Sequence, residues 1–337
     1  MTEGIMRKED TTSNVLVYVE LADGAPVKAG LEALTPAHML TEKNGGDVIA
    51  AVLGKGISDA AGLVAAAGAD RVITVDSEEL AEYDLDAYAD ILRQIIEKEK
   101  PDVVLLGGTG DGKDLAPKLA AIFDAAAAAD VTDIKVDGED AVFVTTEYSG
   151  AIYSDVLIEE ARPGIATTRS GAFKKPECES RGSVEAADLK VSDGVVKTKV
   201  IDTVKEITEA VNLEDAEIIV SGGRGMGSKE NFGLVEELAK ILGGEVGATR
   251  PAIEDGWITK NHQIGQSGKV VAPKLYIAAG VSGAVQHLSG ITGSDYIVAI
   301  NKDEDAPIFS VANVGIVGDA MKVLPVMIEE IRKIREG

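Results

Sequence analysis

The sequence predicts an α/β protein of two domains, each with a mainly parallel sheet covered by helices. Three observations carry this expectation. Short apolar runs alternate with helical segments in both halves, a polar stretch interrupts that rhythm near the middle, and 337 residues suffice for two full cores. Apolar residues make up 45% of the chain and charged residues 27%, the balance of a soluble globular protein.

In the first half, residues 15–19, 48–53, 71–75 and 103–106 read as short buried strands. Between the last two, Leu85, Tyr88, Ile91, Leu92, Ile95 and Ile96 recur at helical spacing, and Pro101 returns the chain to the sheet. This βαβ order belongs to a parallel sheet covered on both faces. From Thr132 the rhythm changes to strand-like pieces with turn signals at Asp137-Gly138 and Ser149-Gly150, then 154–159 and 164–168. That region is expected to pair mainly antiparallel at the edge of the first sheet. Residues 174–188 are polar and contain Pro176 and Gly182, so the junction falls there or by Lys205, giving domains of 1–200 and 201–337.

The second half restarts the alternation, with apolar stretches at 217–220, 244–248, 274–278, 295–300 and 308–311 and a helix at 230–242. A closing helix spans 321–334, where Val323, Leu324, Met327, Ile328, Ile331 and Ile334 form one stripe. The halves share no evident self-similarity.

Composition excludes several function classes. No apolar run approaches the length of a membrane span. The first ten residues are charged and lack a signal core, which predicts no export. Cys178 is the only cysteine, so no internal disulfide forms, and its polar setting makes it a bystander. The net charge of −24, spread along the chain, argues against nucleic-acid or anionic-lipid binding and reads as solubility.

In open α/β sheets ligands bind beyond the carboxyl ends of the strands, which directs attention to the second-half loops. The first, Ser221-Gly222-Gly223-Arg224-Gly225-Met226-Gly227, permits close backbone approach and offers Arg224 to a phosphate or carbonyl oxygen. It departs from G-x-G-x-x-G, because the third glycine falls on Ser228. Next comes Thr249-Arg250-Pro251, where proline holds the preceding residue extended and aims the Arg250 side chain; an ordinary surface arginine is the other reading. Asn261-His262-Gln263-Ile264-Gly265-Gln266-Ser267-Gly268 supplies amides, a hydroxyl and glycines suited to a neutral heterocycle.

The stretch from Leu275 to His287 reads as a buried strand, a tight turn and a helix start. Gly280, Ser282, Gly283 and Ala284 let the backbone approach a pyrophosphate, while Gln286 and His287 can reach a ring; an ordinary strand-to-helix turn is equally compatible. After the stretch 295–300 comes Asn301-Lys302-Asp303. Asp319 reads as an N-cap or as an acceptor for ribose hydroxyls. No triad, G-x-S-x-G elbow or Walker lysine is present, and His38, His262 and His287 lack metal-site spacing. Ligand-like loops without an acid, base or nucleophile set suit the holder of a redox cofactor.

Taken together, Gly222-Gly223-Arg224-Gly225, Thr249-Arg250, Gln263-Ile264-Gly265-Gln266-Ser267-Gly268, Leu275 through His287, Ala299-Ile300-Asn301-Lys302 and Ala306-Pro307-Ile308-Phe309 resemble the alpha subunit of electron transfer flavoprotein. Gly112-Lys113-Asp114-Leu115-Ala116-Pro117 and Ala166-Thr167-Thr168-Arg169-Ser170-Gly171-Ala172-Phe173 look like that family's N-terminal domain. The resemblance implies a C-terminal FAD-binding, Rossmann-like domain and an N-terminal domain similar to adenine nucleotide hydrolases that contacts a beta subunit. It further implies a cytoplasmic heterodimer carrying electrons between acyl-CoA or other flavin dehydrogenases and an acceptor.

By the same resemblance, Arg224, Thr249, Arg250, Ile264, Gly265, Gln266, Ser267, Ser282, Gly283, Ala284, Val285, Gln286, His287, Asn301, Asp319 and Ala320 line the FAD. Arg250 is expected beside the pyrimidine end, favouring an anionic semiquinone. Ser267 is expected near N5 and His287 at the carbonyl edge, tuning the reduced form through its protonation state. The tail before Asn14 has no iron–sulfur cysteine pattern. Some such complexes bifurcate electrons from NADH through a second FAD on the beta subunit, a distinction only the beta sequence settles. The competing reading is an adenine-nucleotide-binding regulatory module without a redox role, using the loop Thr109-Gly110-Asp111-Gly112-Lys113.

Overall fold

The computed structural model describes residues 6–336 except 151, 160, 177–181, 199, 202–212 and 215. The chain divides into two compact units, Met1–Val204 and Lys205–Gly337. Cys178 and the junction expected by Lys205 lie outside the described residues.

In the first unit the strands are β1 (Thr12–Tyr18), a small hairpin of β2 (Leu21–Ala22) and β3 (Ala25–Pro26), β4 (Val48–Gly54), β5 (Arg71–Asp76), β6 (Pro101–Gly107), β7 (Ala127–Asp137), β8 (Asp140–Glu147), β9 (Ile152–Leu157), β10 (Gly164–Thr168) and β11 (Ser183–Ala186). The helices are α1 (Lys28–Glu32), α2 (Leu34–Asn44), α3 (Ser58–Ala66), α4 (Leu85–Glu99) and α5 (Gly110–Phe123). One sheet of nine strands runs in the order β11-β5-β4-β1-β6-β10-β7-β8-β9.

Helix α4 shows why these segments fold as they do. The Asp84 carboxylate caps it by accepting from the amides of Asp86 and Ala87, and Lys100 ends it in the left-handed conformation just before Pro101 opens β6. Tyr88, Ile91, Leu92, Ile95 and Ile96 all bury against the sheet.

The antiparallel expectation holds for β7, β8 and β9, which form the sheet's edge. It fails for residues 164–168. Strand β10 is inserted between β6 and β7 and pairs parallel with both, because its five fully buried residues need cover on two faces that an edge cannot provide.

The second unit contains β12 (Ile218–Gly222), α6 (Lys229–Leu242), β13 (Glu245–Ala248), α7 (Arg250–Glu254), β14 (Leu275–Ala279), α8 (Val285–Leu288), β15 (Ile297–Asn301), β16 (Val314–Val317) and α9 (Ala320–Glu336). Its five strands are all parallel, in the order β13-β12-β14-β15-β16. Residues 308–311 do not form the last strand. Pro307–Ser310 is a short 3-10 turn whose Ile308 is buried, and the edge position goes to the more exposed β16. The strand order reverses between β12 and β14, so the chain leaves these neighbours toward opposite faces and opens a crevice beyond their carboxyl ends.

Candidate functional site

A cavity of about 700 Å³ occupies that crevice. Its size is within the range of small-molecule sites. Every sequence-predicted site residue lines it except Val285, Asp319 and Ala320. Val285 is about half exposed, Ala320 is buried in the core, and the Asp319 carboxylate accepts from the Met321 amide at 3.0 Å, the N-cap alternative.

The glycines after β12 serve the protein's own packing. A side chain at Gly222 would collide with the Phe232 ring, and one at Gly223 with the Gly280 carbonyl. The Gly223 and Gly225 amides donate to Ala279 and Gly280 carbonyls, each at 2.9 Å, so the two loops flanking the crevice lie backbone to backbone. Arg224 extends from this platform, exposed, its guanidinium without a hydrogen-bond or ion-pair partner among the described residues.

After β14, Gly280 and Gly283 take positive φ angles of 63° and 84°. At Gly283 any side chain would also collide with the Ile308 amide, so the turn requires glycine. The amides of Ser282, Gly283 and Ala284 donate to no backbone carbonyl among the described residues and edge the cavity. Helix α8 is one turn long, so individual amides, not an extended helix dipole, supply the positive potential there. Asn301 braces this rim by donating to the Val281 carbonyl at 2.8 Å and accepting from the Asp303 amide at 3.0 Å.

On the opposite rim, Pro251 occupies the first turn of α7 and places Arg250 at its start. The Arg250 side chain is 66% exposed and donates Nε to Glu254 at 2.7 Å, one helical turn on. Arg250 thus shares its charge with a carboxylate at the cavity rim. Thr249 is buried, and its hydroxyl has no partner among the described residues.

The loop 263–268 is tied down by backbone bonds, with Ile264 donating to Ala248 and Gln266 donating to Gln286. Within it the Gln263 amide donates to the Ser267 hydroxyl oxygen at 3.0 Å, which leaves the Ser267 O–H proton free to be donated. His287 is buried among protein partners, with Nδ1 3.1 Å from the Ile264 carbonyl and Nε2 2.9 Å from the Tyr276 hydroxyl. Burial pushes its pKa down to about 4, against a smaller opposing effect of the Ile264 bond. The imidazole is thus neutral at physiological pH, and both nitrogens are engaged.

Gln263, Asp303, Glu254 and Tyr276 belong to this arrangement without having been singled out as site residues. Glu254 was detectable as the i+4 carboxylate beyond Arg250 on a Pro-started helix. Tyr276 was not, because on a fully apolar strand its ring reads as core.

The residues fit an anionic dinucleotide carrying a hydrogen-bonding ring. In a chain of net charge −24, two arginines and one aspartate line the cavity. Unused amides suit a pyrophosphate, and the Thr249 and Ser267 hydroxyls can meet polar ligand atoms. No cluster of potential metal-ligating side chains exists among the described residues.

The crevice at the reversal point of the first sheet, between β1 and β6, is different. Gly107 lies under Ala29 of α1, where an added methyl would come within 2.9 Å of the Ala29 Cβ. The Thr109 hydroxyl is bonded to Glu20, and burial together with neighbouring Asp114 raises the Asp111 pKa. Carboxylates of Glu20, Asp111 and Asp114 close to this loop oppose a nucleotide phosphate there.

Residues 15–194 match the electron transfer flavoprotein domain, and residues 212–292 match the electron transfer flavoprotein FAD-binding domain. An electron transfer flavoprotein subunit alpha of Thermoanaerobacterium thermosaccharolyticum is 40% identical, aligned over 96% of this chain and 98% of its own. A protein of the same name from Megasphaera elsdenii is 42% identical over 95% and 96%. An acryloyl-CoA reductase electron transfer subunit beta of Anaerotignum propionicum is 36% identical over 95% and 96%. With both domains matched in order and relatives aligned over nearly their full length, the chain belongs to the electron transfer flavoprotein family as an alpha subunit, with FAD as its cofactor.

Proposed function

We propose that the chain holds one FAD in the cavity beyond β12 and β14 and favours its negatively charged, one-electron-reduced form. FAD supplies the one- and two-electron chemistry; the chain binds it, orients it and sets its potential. The combination of Arg224, Arg250, the partnerless Thr249 hydroxyl and the free amides at Ser282–Ala284 in one cavity carries this reading. In it, the amides receive the pyrophosphate, Ser267 offers its proton to a ring nitrogen, and Arg250 faces the ring edge where negative charge accumulates.

The N-terminal domain, residues 1–200, then contacts a beta subunit, completing a carrier between a flavin dehydrogenase and an acceptor. An acyl-CoA-linked flavoenzyme suits one end of this transfer, a proposal supported by the relative named for acryloyl-CoA reductase. Purifying the chain with its beta subunit and counting flavins per heterodimer tests the scheme. One FAD absorbing near 450 nm by its own chemistry is expected for plain transfer, and two for a bifurcating complex. A flavin-free heterodimer that binds adenine nucleotide sinks it.

A further inference from the structure

The wall behind the cavity contains a polar pair inside an otherwise apolar strand layer. Tyr276 on β14 is fully buried, with its ring 6.2 Å from the His287 ring and its hydroxyl 2.9 Å from Nε2. The other ring nitrogen, Nδ1, faces the Ile264 carbonyl at 3.1 Å. A carbonyl only accepts, so Nδ1 must carry the proton; Nε2 is then an acceptor and the Tyr276 hydroxyl its donor. The reverse tautomer would oppose the Nδ1 lone pair to a carbonyl inside a buried site. The Ser221 hydroxyl lies beside the phenol from β12 without reaching full hydrogen-bond geometry.

We infer that Tyr276 is a positioning residue that donates to Nε2 of His287 and, with the Ile264 carbonyl on Nδ1, holds the buried ring in its Nδ1–H tautomer beside the FAD cavity. This rests on the FAD reading above and changes its electrostatics. The charged side chains lining the cavity are Arg224, Arg250 and Asp303, and His287 adds polarity without charge. The burial-lowered pKa of His287 agrees with the geometry.

The test is 15N NMR of the histidine side chains in the full chain, co-purified with its beta subunit, with and without flavin. In the parent, His287 should show protonated Nδ1 and hydrogen-bonded Nε2, unchanged from about pH 8 to about pH 5.5, where an ordinary histidine titrates. Tyr276→Phe removes the donor. It should abolish the hydrogen-bond shift at Nε2, leave Nδ1 protonated on the Ile264 carbonyl, and move the His287 pKa up from its parent value because the donor to the neutral form is gone. A parent His287 protonated on Nε2, or titrating near 6.5, overturns the inference, as does a Tyr276→Phe chain with the parent signature. If Tyr276→Phe does not fold, the parent measurement alone decides. If no FAD binds, the function above fails, while the tautomer remains measurable in the flavin-free protein.

Discussion

Arg250 and Glu254 form a pair whose two halves should move a flavin potential in opposite directions. A unit charge about 4 Å from the ring contributes about 1 kcal/mol in water-like surroundings and about 4 kcal/mol in a shielded site. Arg250 belongs near the lower end, because its side chain is 66% exposed and already bonds a carboxylate at 2.7 Å. Arg250→Ala should therefore weaken the one-electron-reduced form by about 1–2 kcal/mol, or about 40–90 mV at about 59 mV per tenfold change. Glu254→Gln frees the guanidinium and removes a negative charge, so it should raise the same potential by a smaller amount. Stepwise reduction of the purified heterodimer, followed by visible spectroscopy at defined potentials, reads both effects. FAD should remain bound in both variants. An unchanged potential in Arg250→Ala, or a lowered one in Glu254→Gln, would refute the reasoning.

Three further outcomes follow from the packing. Gly283→Ala puts a side chain where φ is 84° and the Ile308 amide blocks it; a loss of about 2 kcal/mol or more in stability is expected, together with poor FAD retention, in thermal melts with and without flavin. Thr249→Val removes a partnerless buried hydroxyl, so the flavin-free protein should hold or gain up to about 1 kcal/mol while FAD affinity falls about five- to tenfold. Parallel changes in both would count against it. In the N-terminal domain, buried Arg162 bonds Asp102 at 2.6 Å and Asp140 at 2.9 Å; Arg162→Met should cost about 3 kcal/mol in denaturant titrations by leaving the largely buried Asp102 carboxylate uncompensated, whereas Asp140 keeps Lys8.

The parallel core strands were legible because burial on both faces demands continuous apolar runs, as in β4 and β12. The same logic misplaced β10. Its sequence Gly-Ile-Ala-Thr-Thr reads the same at an edge or in the centre, and only pairing with β6 and β7 decides. At the second sheet, Ile308 and Val311 suggested a strand, but Pro307 and the approach of Gly283 to Ile308 hold that stretch in a turn. The loops that gather the cavity were visible from their glycines, amides and arginines. What the glycines accomplish was not visible: Gly223 and Gly225 bring two protein loops together, which only three-dimensional proximity of β12 and β14 reveals. The state of His287 likewise depends on Tyr276 and the Ile264 carbonyl, partners 11 and 23 residues away in sequence.

The most direct test of the central claim is a high-resolution structure of the heterodimer purified with its own flavin. The account predicts FAD with its pyrophosphate on the Ser282, Gly283 and Ala284 amides and its ring between Arg250 and Ser267. A flavin seated elsewhere, or this cavity filled by another molecule, would contradict it.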